Sequence, residues 1–206
     1  MNTSLHYIHK NLSQDNNNSP IVIMLHGRGT DEHDLIGLAP ITAGQCEVYS
    51  LRAPYNYEWG GFTWFEMNGN NSVSKESFEH SYTEVLNFVS QFDGKKIFLM
   101  GFSMGTIMSY ALALTQPTIF SGVIALSGFV PEQAEWLRFR WDELQTCPFF
   151  ISHGIHDEVL SIALARRSHE LFKQSNAVVS YHEYNMAHEI NDECLNDVRE
   201  WMEGRK

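Results

Sequence analysis

The chain has 206 residues, 43% hydrophobic and 19% charged, which suits one soluble globular domain, 1–206, with a substantial core. A formal net charge of -11 repels nucleic-acid backbones and anionic membranes, and the basic pairs Lys95–Lys96, Arg166–Arg167 and Arg205–Lys206 are too scattered to form a binding stripe. The N-terminal "MNTSLHYIHK" lacks the apolar centre of a signal peptide, no run approaches a membrane span, and three isolated cysteines (Cys46, Cys147, Cys194) have neither disulfide nor metal-ligand spacing. The expected setting is the reducing cytoplasm, with no nucleic acid and no stable membrane association.

Along the chain, the polar stretch 11–20 ("NLSQDNNNSP") reads as a loop between two strands. Apolar runs at 20–27, 46–52, 96–101, 120–128, 147–154 and 177–184 read as further strands, and 32–39, 76–91, 104–115, 161–174 and 189–203 as helices. The first helix is short and stops before Pro40; in the second, Phe78, Tyr82, Val85, Phe88 and Val89 fall at helical spacing. Several strands are β-branched or aromatic without clean alternation, as expected where both faces are covered. This alternation predicts an α/β architecture: a mostly parallel central sheet with helices on both faces. Such sheets bind ligands beyond the carboxyl ends of their strands, so the residues just after each apolar run carry the search for chemistry.

After the strand at 96–100 stands Gly101-Phe102-Ser103-Met104-Gly105, and then a helix. A sharp strand-to-helix turn exposes a serine, and small flanking residues let strand and helix approach. A glycine-bounded turn without chemistry is the bland alternative. A serine nucleophile needs a base, and the base needs a carboxylate to orient it. Asp157 follows the run at 147–154 and His188 follows that at 177–184, both on the rim where Ser103 falls. Their rivals are Glu158, one residue deeper in its loop, His182 inside a strand and His169 within a helix. Donors for a developing oxyanion are expected from the backbone N–H of Met104 and of Arg28, in the loop "LHGRGTDEHDL" (25–35). His26 reads as a buttress of that loop, whose spacing matches neither a P-loop nor a dinucleotide fingerprint. A zinc site from His26, His153, His156, Asp157 and His188 fits no known ligand spacing, so no metal is expected.

Five stretches, "LHGRGTDEHDL", "RAPYNYEWGGFTWFE", "GFSMGT", "HGIHDEV" and "AHEI", resemble in content and order the phospholipase/carboxylesterase group of α/β-hydrolases, which includes small bacterial carboxylesterases and acyl-protein thioesterases. The resemblance spans residue 20 to the end. It implies an α/β-hydrolase fold with a small or minimal cap and a cofactor-free serine hydrolase. Ser103, Asp157 and His188 would be its triad, with backbone donors at Arg28 and Met104. The chain departs from the thioesterase-like pattern in carrying Met104 where Gln is usual and Arg28 where Leu is usual. Ala187 stands where the group tends to place Gly.

The segment 55–65 ("YNYEWGGFTWF") concentrates aromatics. It reads either as a loop pinned to the core or as a pocket wall with Trp59, Phe62, Trp64 and Phe65 touching substrate. A second segment, 127–145, carries Phe129, Trp136 and Trp141 and reads either as a partial cap contributing Phe129 to the substrate site or as an amphipathic helix packed on the body. The expected substrate is a small or medium, largely uncharged carboxylic ester, with thioesters and lysophospholipids as alternatives. A catalytically silent binding protein on the same scaffold is a further rival. Exposed apolar surface around the aromatic loop is the candidate contact for a homodimer.

Overall fold

Strands that are apolar at every position need cover on both faces. The structure, a computed structural model describing residues 4–13, 19–42, 45–67 and 73–205, meets that demand. The polar stretch 14–18 and Lys206 lie outside the described residues. In chain order the elements are β1 (Tyr7–Asn11), β2 (Ile21–Leu25), β3 (Glu47–Leu51), β4 (Tyr55–Asn56), β5 (Phe62–Thr63), α1 (Lys75–Val89), β6 (Ile97–Phe102), α2 (Met104–Thr115), β7 (Gly122–Leu126), β8 (Phe149–Gly154), α3 (Ile162–Phe172), β9 (Val179–Tyr184) and α4 (Asp192–Glu203). Seven strands form one sheet in the order β1-β3-β2-β6-β7-β8-β9, while β4 and β5 make a separate hairpin. Edge strand β1 is antiparallel to β3, and every other pair in the sheet is parallel.

Neighbouring strand residues feed opposite cores. Ile21, Ile23, Leu25, Leu99, Val123 and Phe149 join one cluster with residues of α1, α2 and α3. Val22, Met24, Phe98, Met100, Ile124 and Phe150 join another with α4 and a 3-10 helix at Ile36–Thr42. Side chains still alternate with period two, but both faces are apolar, which hides the alternation from the sequence. Helix α2 is buried at every position from Met104 to Leu114, packed directly on the sheet. The other long helices start at side-chain caps: Ser74 accepts from the Ser77 amide, Ser161 from Ala163 and Asn191 from Cys194.

Two expected elements take another form. The helix expected over 32–39 is turns followed by the 3-10 helix, which runs through Pro40 instead of stopping before it. Bonding from residue i to i+3, as from Leu38 N–H to Leu35 O at 2.8 Å, suits a short segment that contains a proline without a donor. The segment 127–145 packs on the body, but as turns and a 3-10 helix (Trp141–Thr146) in place of an amphipathic helix. The Arg140 amide donates to Leu114 O at 2.7 Å and the Val130 amide to Ser168 Oγ at 2.9 Å, strapping it to α2 and α3.

At the far edge, Arg166 of α3 donates to both carboxylate oxygens of Glu183 on β9, at 2.8 and 2.7 Å. That pairing holds the Glu183 carboxyl down at about 2. A depressed folded-state pKa stabilises above the unfolded carboxylate value of about 4.3 and is lost as pH falls through the folded one. Arg166→Ala is therefore expected to lower the urea midpoint at about pH 7, with the gap to wild type closing toward about pH 2. A gap of equal size at both pH values would refute the assignment.

Candidate active site

Ser103 follows β6 directly and stands at φ 54° and ψ −115°. A non-glycine residue keeps such a backbone only where its surroundings over-determine it. Here the Ser103 amide donates to Leu126 O at 2.9 Å, anchoring the turn to β7. Thr106 Oγ1 lies 2.7 Å from the carbonyls of both Gly101 and Leu126 and accepts from the Leu126 amide at 3.1 Å. The flanking glycines serve close backbone approach. A Cβ on Gly101 would stand 2.5 Å from the Gly105 carbonyl carbon, and one on Gly105 would overlap the Leu25 carbonyl.

His188, beyond the end of β9, brings Nε2 to 2.9 Å from Ser103 Oγ and Nδ1 to 2.7 Å from Asp157 Oδ2. An ionised carboxylate only accepts, so Nδ1 carries the proton and Nε2 is left to accept from the serine hydroxyl. The ring packs against Phe102, with centroids 5.0 Å apart. The Asp157 side chain is fully buried, and its Oδ1 accepts from the amides of Val159 at 2.9 Å and Leu160 at 2.8 Å. Burial pushes its carboxyl upward, but the hydrogen bonds from His188, Leu160 and Val159 together outweigh burial and hold it below the usual range. The Ala187 position needs no glycine: its φ is not positive, and Gly154 yields the space, since a Cβ there would overlap the Ala187 and Met186 carbonyls.

The loop after β2 runs beside the serine, where a Cβ on Gly27 would come within 3.6 Å of Ser103 Cβ. Buried His26 holds its base. His26 Nε2 accepts from the Ala53 amide at 3.0 Å, so Nδ1 carries the proton and donates to Gly27 O at 2.6 Å. Burial lowers its pKa, which keeps the ring neutral and both nitrogens committed. Among the described residues, no main-chain acceptor engages the amides of Arg28 or Met104. The Arg28 side chain is exposed, its guanidinium 5.3 Å from the centre of the Tyr57 ring.

Of the two readings of 55–65, a loop pinned to the core and a pocket wall, the buried Trp64 and Phe65 fit the first, and the segment also forms a bracket that composition did not signal. Gly29 N–H donates to Phe62 O and Phe62 N–H to Thr30 O, both at 2.8 Å, so the β4–β5 hairpin clamps the Arg28 loop. A Cβ on Gly61 would overlap the Gly29 carbonyl oxygen. Trp64, expected at the substrate, is fully buried in the core, where its indole N–H donates to His26 O at 2.9 Å. Phe65 is nearly as buried, packs on Phe78 at 5.1 Å, and borders a cleft of about 370 Å³ with Arg28, Tyr57 and Thr63. Thr63 Oγ1 lies 3.2 Å from Met104 Sδ, joining that cleft to the residue after Ser103. Trp59 is 80% exposed beside Glu58, Phe62 is half-buried under Arg52, and Phe129 is half-buried against the helix-side core. A groove of about 730 Å³ between α1, the end of α2 and Trp136–Arg140 includes none of the strand-end residues.

The rivals stand apart from this line. Glu158 is exposed, His169 stacks on Tyr181 at 4.1 Å, and His182 stacks on Phe150 at 4.9 Å. His156 Nε2 pairs with Asn185 Oδ1 at 2.9 Å, tying the loops after β8 and β9 together. No spacing in the sequence announced Thr106 or the hairpin bracket as supports of the site, because their partners lie in distant segments.

A mostly parallel sheet with helices on both faces, carrying these loops at its strand ends, makes the molecule an α/β-hydrolase. The structure of a carboxylesterase from Bacillus cereus superposes on it with a TM-score of 0.87 at 22% identity, covering 100% of this chain and 96% of that one. The profile of the phospholipase/carboxylesterase family matches residues 9–204, and the chain belongs to that family. It is similar to acyl-protein thioesterase 1 of Candida albicans, 28% identical over 208 residues that cover 86% of this chain and 88% of that protein. The match to acyl-protein thioesterase 1 of Yarrowia lipolytica is 29% identical over 113 residues, 52% of this chain and only about half (49%) of the relative. Among the described residues no helix is long and apolar enough to cross a membrane.

Proposed function

We propose that the protein is a serine carboxylesterase in which Ser103 is the nucleophile, His188 the general base and acid, and Asp157 the group that orients His188. The observation that carries this reading is the unbroken line from Ser103 Oγ through His188 to Asp157, with contacts of 2.9 and 2.7 Å, on a serine held at positive φ. His188 Nε2 takes the hydroxyl proton as Oγ bonds to the ester carbonyl carbon. The carbonyl electrons move onto oxygen, where the Arg28 and Met104 amides stabilise them. Collapse expels the alcohol, which takes the proton from His188, and leaves an acyl-serine. Water repeats the sequence, returning the proton to Ser103 and releasing the acid.

The cleft beside Met104, lined by Thr63 and Phe65 together with Arg28, Glu58 and Glu66, is our candidate site for a small to medium ester without net charge. The names of the thioesterase relatives favour a second reading, in which the acyl donor is a thioester. We assign the enzyme to the cytoplasm on its free cysteine thiols, and a homodimer contact to the aromatic hairpin, where Trp59 is exposed.

A panel of p-nitrophenyl esters of rising acyl length, with matched thioesters, tests the reading together with fluorophosphonate labelling. Ester turnover exceeding thioester turnover, with one label on Ser103, is the expected result. Thioesters turned over faster would move the assignment to thioesterase, and an unlabelled protein without turnover would favour a silent scaffold.

A further inference from the structure

Beyond the line of three, a second histidine reaches the same carboxylate. We propose that His153 is a positioning residue for the reaction, its Nε2–H held close against Asp157 so that it aims and tempers the carboxylate serving His188. The inference rests on the serine-hydrolase reading above.

His153 lies in β8, four residues before Asp157, with its side chain fully buried. Its Nε2 stands 2.7 Å from Leu160 O and 3.2 Å from Asp157 Oδ2. A carbonyl only accepts, so Nε2 carries the hydrogen and donates it to Leu160 O, with Asp157 Oδ2 close beside it. Burial lowers the pKa of this ring, so it is neutral and Nδ1 is bare. That bare nitrogen is buried without a hydrogen-bond partner. Buried orphans of this kind are uncommon and carry a cost, so a demand at the other nitrogen is the physical reason to keep the residue. A ring that served packing alone would be replaced at no loss by an apolar one.

Counting donors around Asp157 shows what the demand is. Oδ1 takes the Val159 and Leu160 amides and Oδ2 takes His188 Nδ1, while His153 Nε2 lies 3.2 Å from the same Oδ2. Three of the carboxylate's roughly four acceptor positions are thus filled, and the His153 N–H dipole lies beside Oδ2. The plane of the carboxylate is thereby fixed, with Oδ2 turned to His188. The nearby N–H dipole also stabilises the charge on Oδ2, so that Asp157 binds the imidazolium form of His188 less strongly than it otherwise would. The other titratable group facing His153 is Glu183 on β9, itself paired with Arg166.

Two polar replacements separate positioning from packing. The amide of His153→Asn ends at the level of Nδ1, short of Asp157, while that of His153→Gln extends to the level of Nε2. Fluorophosphonate titration counts competent sites, so that misfolded molecules drop out of the rates. Per labelled site, the Asn variant is expected to lose about 10- to 100-fold in kcat with KM within about twofold. The acid limb of its kcat/KM profile should move to higher pH, because an unshared Oδ2 holds the proton on His188 longer. The Gln variant is expected to recover most of kcat and the original limb. An Asn variant with unchanged kcat and limb overturns the proposal, as does a Gln variant no better than Asn. Nitrogen-15 shifts of the wild-type ring add a check without any variant, since an Nδ1–H tautomer overturns the proposal. A wild-type protein that neither labels nor hydrolyses esters would instead overturn the serine-hydrolase reading on which the inference rests.

Discussion

Ser103→Ala is expected to lower kcat for p-nitrophenyl esters by about 10⁴-fold or more, leaving only what the oxyanion donors and binding supply. Loss of the nucleophile removes a covalent step, not a binding contact, so KM for residual turnover should change little. Stability should stay close to wild type, since alanine inherits the same φ of 54° and gives up only the contact with His188. Ser103→Gly, equally inactive, should be more stable than the alanine variant. Its backbone adopts this region without the Cβ conflict, a difference of about 1 kcal/mol. In a chain of this size that is roughly 2–4 °C in Tm. Thermal melts and burst kinetics on the two variants check both halves. Turnover surviving in Ser103→Ala would remove the serine from its role, and a glycine variant less stable than alanine would remove the strain.

The second large effect falls on folding. Gly105→Ala drives a Cβ into the Leu25 carbonyl, with the His26 carbonyl 2.8 Å away. Both obstacles are backbone, one at the end of a central strand and the other at the base of the Arg28 loop, so neither yields by rotating a side chain. The expected cost is about 4 kcal/mol or more, most of the stability of a domain at the lower end of the ordinary range. Gly37→Ala is the matched control: nothing lies within 4 Å of its Cβ and its φ is not positive. It should remain within about 0.5 kcal/mol of wild type. Urea midpoints and soluble yield separate the two. A Gly105→Ala protein as stable as the control would show that β2 and α2 do not approach as closely as described.

Ser103 and Gly105 lie in the stretch 97–106, whose meaning was partly legible from the chain alone. The apolar run before Ser103 and the small residues after it forecast β6 and α2 to within a residue, because strand and helix periodicities are local properties. The same locality carried the strands before Asp157 and His188, and with them the rim on which all three residues fall. It failed over 32–39, where a short segment around Pro40 settled into a 3-10 helix whose form packing decides. It failed again over 127–145, whose tryptophans and phenylalanine have no helical partner face and pack as a strap.

The sequence by itself determined the alternation of strands and helices, the sheet's parallel character and the three chemical groups at its strand ends. Those follow from patterns within one segment and from one topological rule. Tertiary structure alone decided that Trp64 is core, that the aromatic hairpin braces the Arg28 loop, and that Thr106 locks the turn at Ser103. It also decided that His153 lies 3.2 Å from the carboxylate that His188 engages. Apart from the last pair of histidines, these partners are chemically ordinary residues whose meaning lies in distance and direction. Hydrogen bonds between segments tens of residues apart leave no period in the chain, so only the folded geometry specifies them.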